Sequence, residues 1–359
     1  MTDGLLSDRV LIGDCIERLR ELPAGSVDCI FADPPYNLQL SGELTRTSGA
    51  RVDGVDDAWD HFDSDAAYEA FTRSWLSEAR RVLKDDGTIW VIGSYHNIFT
   101  VGYLMTRLGF WILNDVHWVK TNPMPNFRGR RFQNATETMI WAQKKGASGY
   151  TFNYHQMKAL NDGRQMRNTW DLPICTGRER LTSGGRKLHP TQKPLALLYR
   201  VVCAATRPGE LILDPFFGTG TTGVAARTLG RRFLGIEQDP AYAAAARDRC
   251  AAVVPASDPS TLLTPEPRKA RQVPFPRLVE GGWVAIGARL VSPCGRHTAI
   301  VQADGTVVSD RTCGSIHAVG RAVQGAASCN GWDFWRLAET GAPLDTLRIA
   351  WHESARSAA

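Results

Sequence analysis

Short apolar runs alternate along this chain with segments in which apolar residues recur every three or four positions. The runs at 9–14 (RVLIGD), 27–33 (VDCIFAD), 87–94 (GTIWVIGS), 111–120 (WILNDVHWVK), 135–144 (ATETMIWAQK), 210–216 (ELILDPF) and 232–237 (RFLGIE) read as strands. Residues 65–83 (DAAYEAFTRSWLSEARRVL), 194–206 (PLALLYRVVCAAT), about 219–229 and 240–252 (PAYAAAARDRCAA) carry helical spacing, and Asp-Asp-Gly stops the first of them. Strand, helix, strand, helix in this order predicts an α/β fold, a mostly parallel sheet with helices on both faces.

The rhythm breaks twice. Residues 121–190 are rich in Asn, Arg, Gly, Pro and Thr and read as a loop-rich insertion. Residues 255–276 hold six of the 19 prolines and read as a linker. The expected organisation is one large domain over 1–254, the linker 255–276, and a small β-containing domain over 277–359. Net charge is +5, but residues 121–200 hold 14 Lys or Arg against 4 Asp or Glu, while the rest holds 28 against 33. A basic middle on a slightly acidic protein suggests a polyanionic partner, although a solvated basic face fits charge alone equally well. The eight cysteines form no CxxC pair and no cluster with zinc spacing, so reduced thiols and no metal are expected. The first residues carry acids rather than a long apolar run, and no stretch is long enough to span a membrane, which predicts a cytoplasmic protein.

Two strand ends carry chemistry. In LILDPFFGTGTT (211–222), glycines 218 and 220 allow a backbone turn to approach a ligand closely, and Thr221 and Thr222 can cap the following helix. Glu237 ends the next strand, 23 residues after Asp214, where an acid can hold ribose hydroxyls. A full GxGxxG and a GxxxxGK[ST] loop are both missing, so a nucleoside without pyrophosphate fits better than NAD or ATP. In DPPYNLQL (33–40), Asp33 and the carbonyls of Pro34 and Pro35 offer acceptors, and Tyr36 offers a flat face. Acceptors beside an aromatic platform suit an exocyclic amine on a planar heterocycle, with Asp33 stabilising positive charge developing on nitrogen. A proline-rich turn is the plain alternative for DPP by itself.

DPPY together with DPFxGxGTT resembles the amino-group DNA methyltransferases that use S-adenosylmethionine. DPPY precedes the Gly-rich unit, and HPTQKP (189–194) lies just ahead of that unit, which resembles the β-type permutation. LQLSGEL, VDDAWDHF, WVIGSYHNIF, GFWILND, NPMPNF and the C-terminal CNGWDFW are similar to the cell-cycle-regulated, CcrM-type adenine methyltransferases. The resemblance covers nearly the whole chain. It implies a Rossmann-like methyltransferase fold with a small C-terminal DNA-binding domain. It also implies N6-methylation of adenine in GANTC on double-stranded DNA by a solitary, nucleoid-associated enzyme, with a homodimer as a family-level expectation.

By the same resemblance, Asp33, Pro34, Pro35 and Tyr36 hold the flipped adenine, and S-adenosylmethionine is converted to S-adenosylhomocysteine without a metal. Asp14 and Cys15 would meet the cofactor's adenine edge. Asp214, Phe216, Gly218, Gly220, Thr221, Thr222 and Glu237 would contact the cofactor, and Thr191 and Lys193 would line its methionine end. A target base must leave the duplex to reach such a pocket. Leu40, Asn122, Asn126, Arg128 and Arg130 are candidates for DNA contact, Arg131 for phosphates, and Ser315, Asn330, Trp332 and Trp335 for DNA contacts or base stacking by the tail, although a Trp in a small domain is more often a core residue. An N4-cytosine DNA methyltransferase, an RNA or protein-glutamine methyltransferase and a catalytically dead DNA-binding protein remain as alternatives.

Overall fold

The structure is a computed structural model that describes residues 7–38, 44–45, 51–52, 60–126, 130–256, 258–264, 273–310 and 312–357. The chain divides into two compact units, Met1–Glu266 and Pro267–Ala359.

In the first unit, β1 (Arg9–Ile12), α1 (Cys15–Glu21), β2 (Val27–Ala32) and a two-stranded ribbon, β3 (Leu44–Thr45) and β4 (Arg51–Val52), come first. They are followed by α2 (Asp65–Val82), β5 (Leu83–Gly93), α3 (Ile98–Arg107), β6 (Phe110–Lys120), β7 (Thr136–Lys144), α4 (Tyr154–Ala159) and β8 (Thr169–Leu172). A second ribbon, β9 (Thr182–Ser183) with β10 (Arg186–Lys187), leads to α5 (Leu195–Ala205), β11 (Leu211–Asp214), α6 (Thr221–Thr228), β12 (Arg232–Glu237) and α7 (Pro240–Ala251). The eight-stranded sheet runs β1-β12-β11-β2-β5-β7-β6-β8. Neighbours from β1 to β5 are parallel, and β7 runs antiparallel between β5 and β6.

The central strands are apolar on both faces because helices cover both. In β2, Cys29 and Phe31 join the core under α5, α6 and α7, while Ile30 and Ala32 join the core under α1, α2 and α3. In β5, Trp90 and Ile92 follow the first pair and Ile89 and Val91 the second. With both faces filled, ligand access is left to the strand ends. Asp33 follows β2 directly, Asp214 ends β11 and Glu237 ends β12, so these three acids share the C-terminal edge of adjacent parallel strands.

The basic insertion is more ordered than its composition suggests. β8 joins the main sheet beside β6, and its Trp170 and Leu172 are buried. Four residues flanked by Arg and Asn give too short a pattern to be legible as a strand. The proline-rich stretch is likewise only partly a connection. Leu262 is buried in the first unit, while Val273 and Phe275 belong to the core of the second.

In the second unit, α8 (Phe275–Glu280) precedes β13 (Arg289–Val291), β14 (Thr298–Val301), β15 (Val307–Ser309) and β16 (Thr312–Gly314). Then come α9 (Ile316–Gln324), α10 (Gly331–Phe334), β17 (Arg336–Leu337) and α11 (Leu344–Ser357). The strands form an antiparallel sheet in the order β16-β15-β14-β13-β17. This overturns one expectation. Trp332 and Trp335 are core residues, 6% and 0% exposed, and have no free face for stacking on bases. Trp332 packs edge-on against Phe275 and beneath the Arg348 guanidinium, and the Trp335 indole donates to the Ile316 carbonyl at 2.9 Å. Ser315 and Asn330 are exposed, and each caps a helix, α9 and α10 respectively.

Candidate active site

The turn after β2 is held from behind. One carboxylate, Asp60, accepts three successive backbone N–H groups, from Tyr36 at 2.6 Å, Asn37 at 2.9 Å and Leu38 at 2.9 Å. Asn37 has φ 54°, a left-handed conformation that lets consecutive amides converge on one anion. The Tyr68 hydroxyl donates to the Pro35 carbonyl at 2.9 Å and accepts from Asn97 at 3.2 Å. Of the two proline carbonyls expected as acceptors, that of Pro35 is therefore engaged within the protein.

Asp33 and Tyr36 meet one buried cation, Lys193, and a second carboxylate, Glu137, which pairs with Lys120. Asp33 Oδ2 lies 2.6 Å from Lys193 Nζ, and the Tyr36 hydroxyl is 3.1 Å from Asp33 Oδ1 and 2.9 Å from Glu137 Oε2. Glu137 Oε1 pairs with Lys120 Nζ at 2.8 Å. Lys193 Nζ is also 3.8 Å from Glu137 Oε2 and 5.1 Å from the centre of the Tyr36 ring. Burial pushes the Asp33 carboxyl above the usual range and Lys193 opposes that push. Burial acts the same way on Glu137, but Lys193 and Lys120 together hold it below the usual range. Burial alone would deprotonate Lys193, yet Asp33 and Glu137 raise its affinity for the proton. Burial and the two carboxylates push the Tyr36 phenol well up, so it stays protonated.

On the neighbouring strand end, Asp214 ties the Gly-rich turn together. Its Oδ1 accepts from Phe216 N at 3.0 Å and its Oδ2 from the Thr222 hydroxyl at 2.6 Å, and burial raises its pKa to about 7. Glu237 accepts from Gly218 N at 2.7 Å and Asp239 N at 2.8 Å, with burial again raising its pKa. Asp14 caps α1 by accepting from Ile16 and Glu17, and burial pushes the Cys15 thiol up to about 12. The His189 ring lies against Tyr242, and burial lowers its pKa to about 4, so it is neutral near pH 7.

A cleft of about 530 Å³ brings these residues together. It is lined by Asp14, Cys15, Asp33, Pro34, Pro35, Tyr36, Thr191, Lys193, Asp214, Phe216, Gly218, Thr221, Thr222 and Glu237. Two details of the Gly-rich turn differ from expectation. Gly220 serves helix packing rather than ligand approach: it starts α6 with φ 79°, and a Cβ there would stand 2.9 Å from that of Ala246. Thr221 and Thr222 do not cap α6 either. Their hydroxyls donate to the Lys193 carbonyl and to Asp214. Glu137, Lys120, Asp60, Tyr68 and Asn97 carried no sequence signal as site residues, since each belongs to a distant, ordinary-looking segment.

The DNA-contact candidates lie elsewhere. Leu40 and Arg128 fall outside the described residues. Asn122 Oδ1 accepts from Ile174 N at 2.8 Å, and Asn126 Oδ1 accepts from Arg130 N at 3.3 Å, so both amides also shape their own loop. Arg130 and Arg131 are exposed, and Arg131 donates to the Tyr95 hydroxyl at 3.3 Å. Among the described residues, no group of three or more His, Cys, Asp or Glu could hold a metal, and no helix is long and apolar enough to cross a membrane.

Residues 27–248 match the family model of N6 and N4 DNA methylases. The chain belongs to the N6/N4 DNA methylase family. It is 45% identical over 342 residues to the type II methyltransferase M.HinfI of Haemophilus influenzae, covering 94% of this chain and 95% of the relative. It is also 45% identical to the type II methyltransferase M2.DpnII of Streptococcus pneumoniae over 239 residues, 66% of this chain and 87% of the relative. Residues 255–357 match a second family, Restriction Enzyme Adenine Methylase Associated. Among solved structures, a complex of M1.HpyAVI with S-adenosylmethionine is 27% identical with a TM-score of 0.50, covering 67% of this chain and 98% of that one. The cytosine-N4-specific PvuII DNA methyltransferase shares the fold at 21% identity and a TM-score of 0.52, over 70% and 89%.

This DNA methylase therefore has a Rossmann-like methyltransferase fold with the β-type order of motifs, and its methyl donor is S-adenosylmethionine. The cleft fits that donor. Its lining holds the strand-end carboxylate of Glu237 and the turn at Gly218 together with Asp33 and Tyr36. The S-adenosylmethionine sulfonium supplies an electrophilic methyl group.

Proposed function

We propose that this methyltransferase modifies N6 of adenine, within GANTC, in double-stranded DNA. The observation that carries the reading is the cleft itself: Asp33, Pro34 and Tyr36 stand beside the glycine turn and Glu237 in one cavity. The match of the tail to a family associated with adenine methylases supports adenine over cytosine. The GANTC target and a cell-cycle role rest on the resemblance to CcrM-type enzymes.

In this reading Glu237 holds the donor's ribose hydroxyls, Asp14 and Cys15 flank its adenine, and Phe216 and Thr191 line the rest of its path. The target adenine leaves the duplex and stacks on Tyr36. Asp33 and the Pro34 carbonyl would accept hydrogen bonds from the two amine N–H groups and orient the lone pair towards the methyl group; as the new N–C bond forms and the donor's S–C bond breaks, Asp33 would stabilise the charge on nitrogen until that nitrogen loses one proton. Asp214 acts on the glycine turn rather than on substrate. Arg130 and Arg131 face phosphates, with Asn122 and Asn126 shaping the loop that carries them, and the tail domain adds contacts around Ser315 and Asn330.

The deciding experiment is tritiated methyl transfer to a GANTC duplex and to one with the adenine replaced, with the product nucleosides identified by mass spectrometry. N6-methyladenine on the first duplex alone is expected; equal transfer to both would discard the sequence, and N4-methylcytosine would discard the base. A second reading, a partner of a restriction enzyme rather than a solitary enzyme, draws support from the type II name of the M.HinfI relative. The main reading includes a homodimer as a family-level expectation. Tyr95, just before α3, with Phe99 and Tyr103 of α3 and Ile112 of β6, exposes apolar surface around one hollow, of the kind that monomers seldom leave uncovered. Sedimentation at twice the monomer mass checks it.

A further inference from the structure

Glu137 is only 12% exposed and lies 2.9 Å from the Tyr36 hydroxyl, yet nothing in the reaction described so far uses it. Its place becomes intelligible from the position of Lys193. The Lys193 ammonium rests 2.6 Å from Asp33 Oδ2 and 5.1 Å from the centre of the Tyr36 ring. The target amine requires that same carboxylate, and it too becomes positive beside it. Lys193 thus stands in for the substrate, and an arriving amine competes with it for Asp33.

A buried ammonium cannot be left without a counter-charge, because removing one partner of such a pair costs several kcal/mol. Lys193 is 9% exposed, so water compensates little. Two more carboxylates act on it, Asp214 and Glu137, and of these Glu137 is in ion-pair range, with Oε2 at 3.8 Å. A shift of about 1 Å brings that contact to charge-assisted hydrogen-bonding distance. Lys120 holds the opposite oxygen of Glu137 at 2.8 Å, and the Tyr36 hydroxyl holds Oε2 itself at 2.9 Å, so the receiving carboxylate is fixed in place.

We propose that Glu137 is a positioning residue that receives Lys193 when the target amine takes over Asp33. Lys193 alternates between two carboxylates. The exchange keeps it paired throughout and opens Asp33 only when something can replace it there. The proposal rests on the reading that the amine enters at Asp33.

The test uses full-length protein, single-turnover methyl transfer to the GANTC duplex, and 2-aminopurine at the target position to report base extrusion. Glu137→Gln keeps the shape and a hydrogen bond to Tyr36 but cannot neutralise Lys193. The expected result is a rate lowered by about 10-fold or more, less 2-aminopurine fluorescence, and an S-adenosylmethionine Kd within about 2-fold of the parent. Lys193→Met in the parent also slows transfer. In the Glu137→Gln background it should instead raise the rate by about 3-fold or more, because it removes the cation now trapped on Asp33. A merely structural role for Glu137 predicts no such change of sign. Glu137→Asp, which keeps the charge and the fold, should fall between the parent and Glu137→Gln. A parent-like rate in Glu137→Gln, or a double variant no faster than Glu137→Gln, overturns the proposal. A parent that labels no DNA overturns the reading of the site along with it.

Discussion

Asp214 shows how one buried acid can hold a turn together. Its two oxygens join Phe216 N to the Thr222 hydroxyl, locking both ends of the Gly-rich turn, and burial raises its pKa to about 7. The folded protein therefore binds this proton more tightly than the unfolded chain, whose Asp titrates near 4. Its contribution to stability is fully present below about pH 4 and is lost as pH rises through about 7. Asp214→Asn keeps an acceptor for Phe216 N, turns the second contact round so that its amide donates to the Thr222 hydroxyl, and removes the titration. Thermal melts from pH 4 to 8 should show this variant losing less stability than the parent across that window. An identical slope in both proteins would contradict the raised pKa. Asp214 was legible as part of a motif, but its role was not: spacing marks a strand end, whereas partners 2 and 8 residues away in a folded turn decide what the carboxylate does. Asp60 was less legible still. It lies 24 residues beyond Tyr36, and only the folded loop brings three amides to it.

The glycine-rich turn works as part of an element packed from beneath. The Phe217 ring lies over Gly235 in β12 and beside Gly223 in α6; a Cβ at Gly235 would fall 2.3 Å from the ring, and one at Gly223 would fall 2.7 Å from it. Phe217 N also donates to the Ile236 carbonyl, so the turn is bound to β12 through both backbone and ring. Gly235→Ala must displace Phe217 and with it Gly218. The expected result is an S-adenosylmethionine Kd raised by about 10-fold or more and a melting temperature lowered by several degrees, as overpacking costs about 1–3 kcal/mol. Calorimetric titration and a thermal melt check both, and unchanged cofactor affinity would mean that the turn does not depend on this packing. Sequence pattern predicted β11, α6 and β12 well, because fully buried strands are uniformly apolar. It offered no sign that Gly235, in mid-strand, exists for a phenyl ring.

Across the whole molecule, charge is distributed to serve a polyanion. The excess of 14 cations over 4 acids falls in residues 121–200, and two of its acids, Glu137 and Glu179, are occupied inside the protein by Lys120 and by the Leu195 amide. That leaves the exposed cations of the segment largely unopposed. DNA affinity should fall linearly with salt on logarithmic axes, and replacing Arg130 and Arg131 by Ala should reduce the slope by about 2, roughly one per lost phosphate contact. A fall in affinity with no change in slope would assign those arginines to base edges or to folding instead. The tail obeys a different logic. Its aromatic cluster suggested a stacking surface, yet Trp332 and Trp335 make its core, because a unit of 93 residues has few other large side chains to bury.

The sequence by itself determined the alternation of strands and helices, the strand-end acids Asp33, Asp214 and Glu237, and the enzyme class that those motifs resemble. All of these are local: apolar periodicity, turn chemistry and short fixed spacings survive in one dimension. Tertiary structure alone decided which residues complete the site. Lys193 reaches Asp33 across 160 residues, and Glu137 reaches Tyr36 across 101. It also decided that Trp332 is buried and that Gly220 packs a helix. Burial, and the pairing of charges that burial compels, depend on neighbours brought together by the sheet order, and no spacing along the chain encodes that order directly.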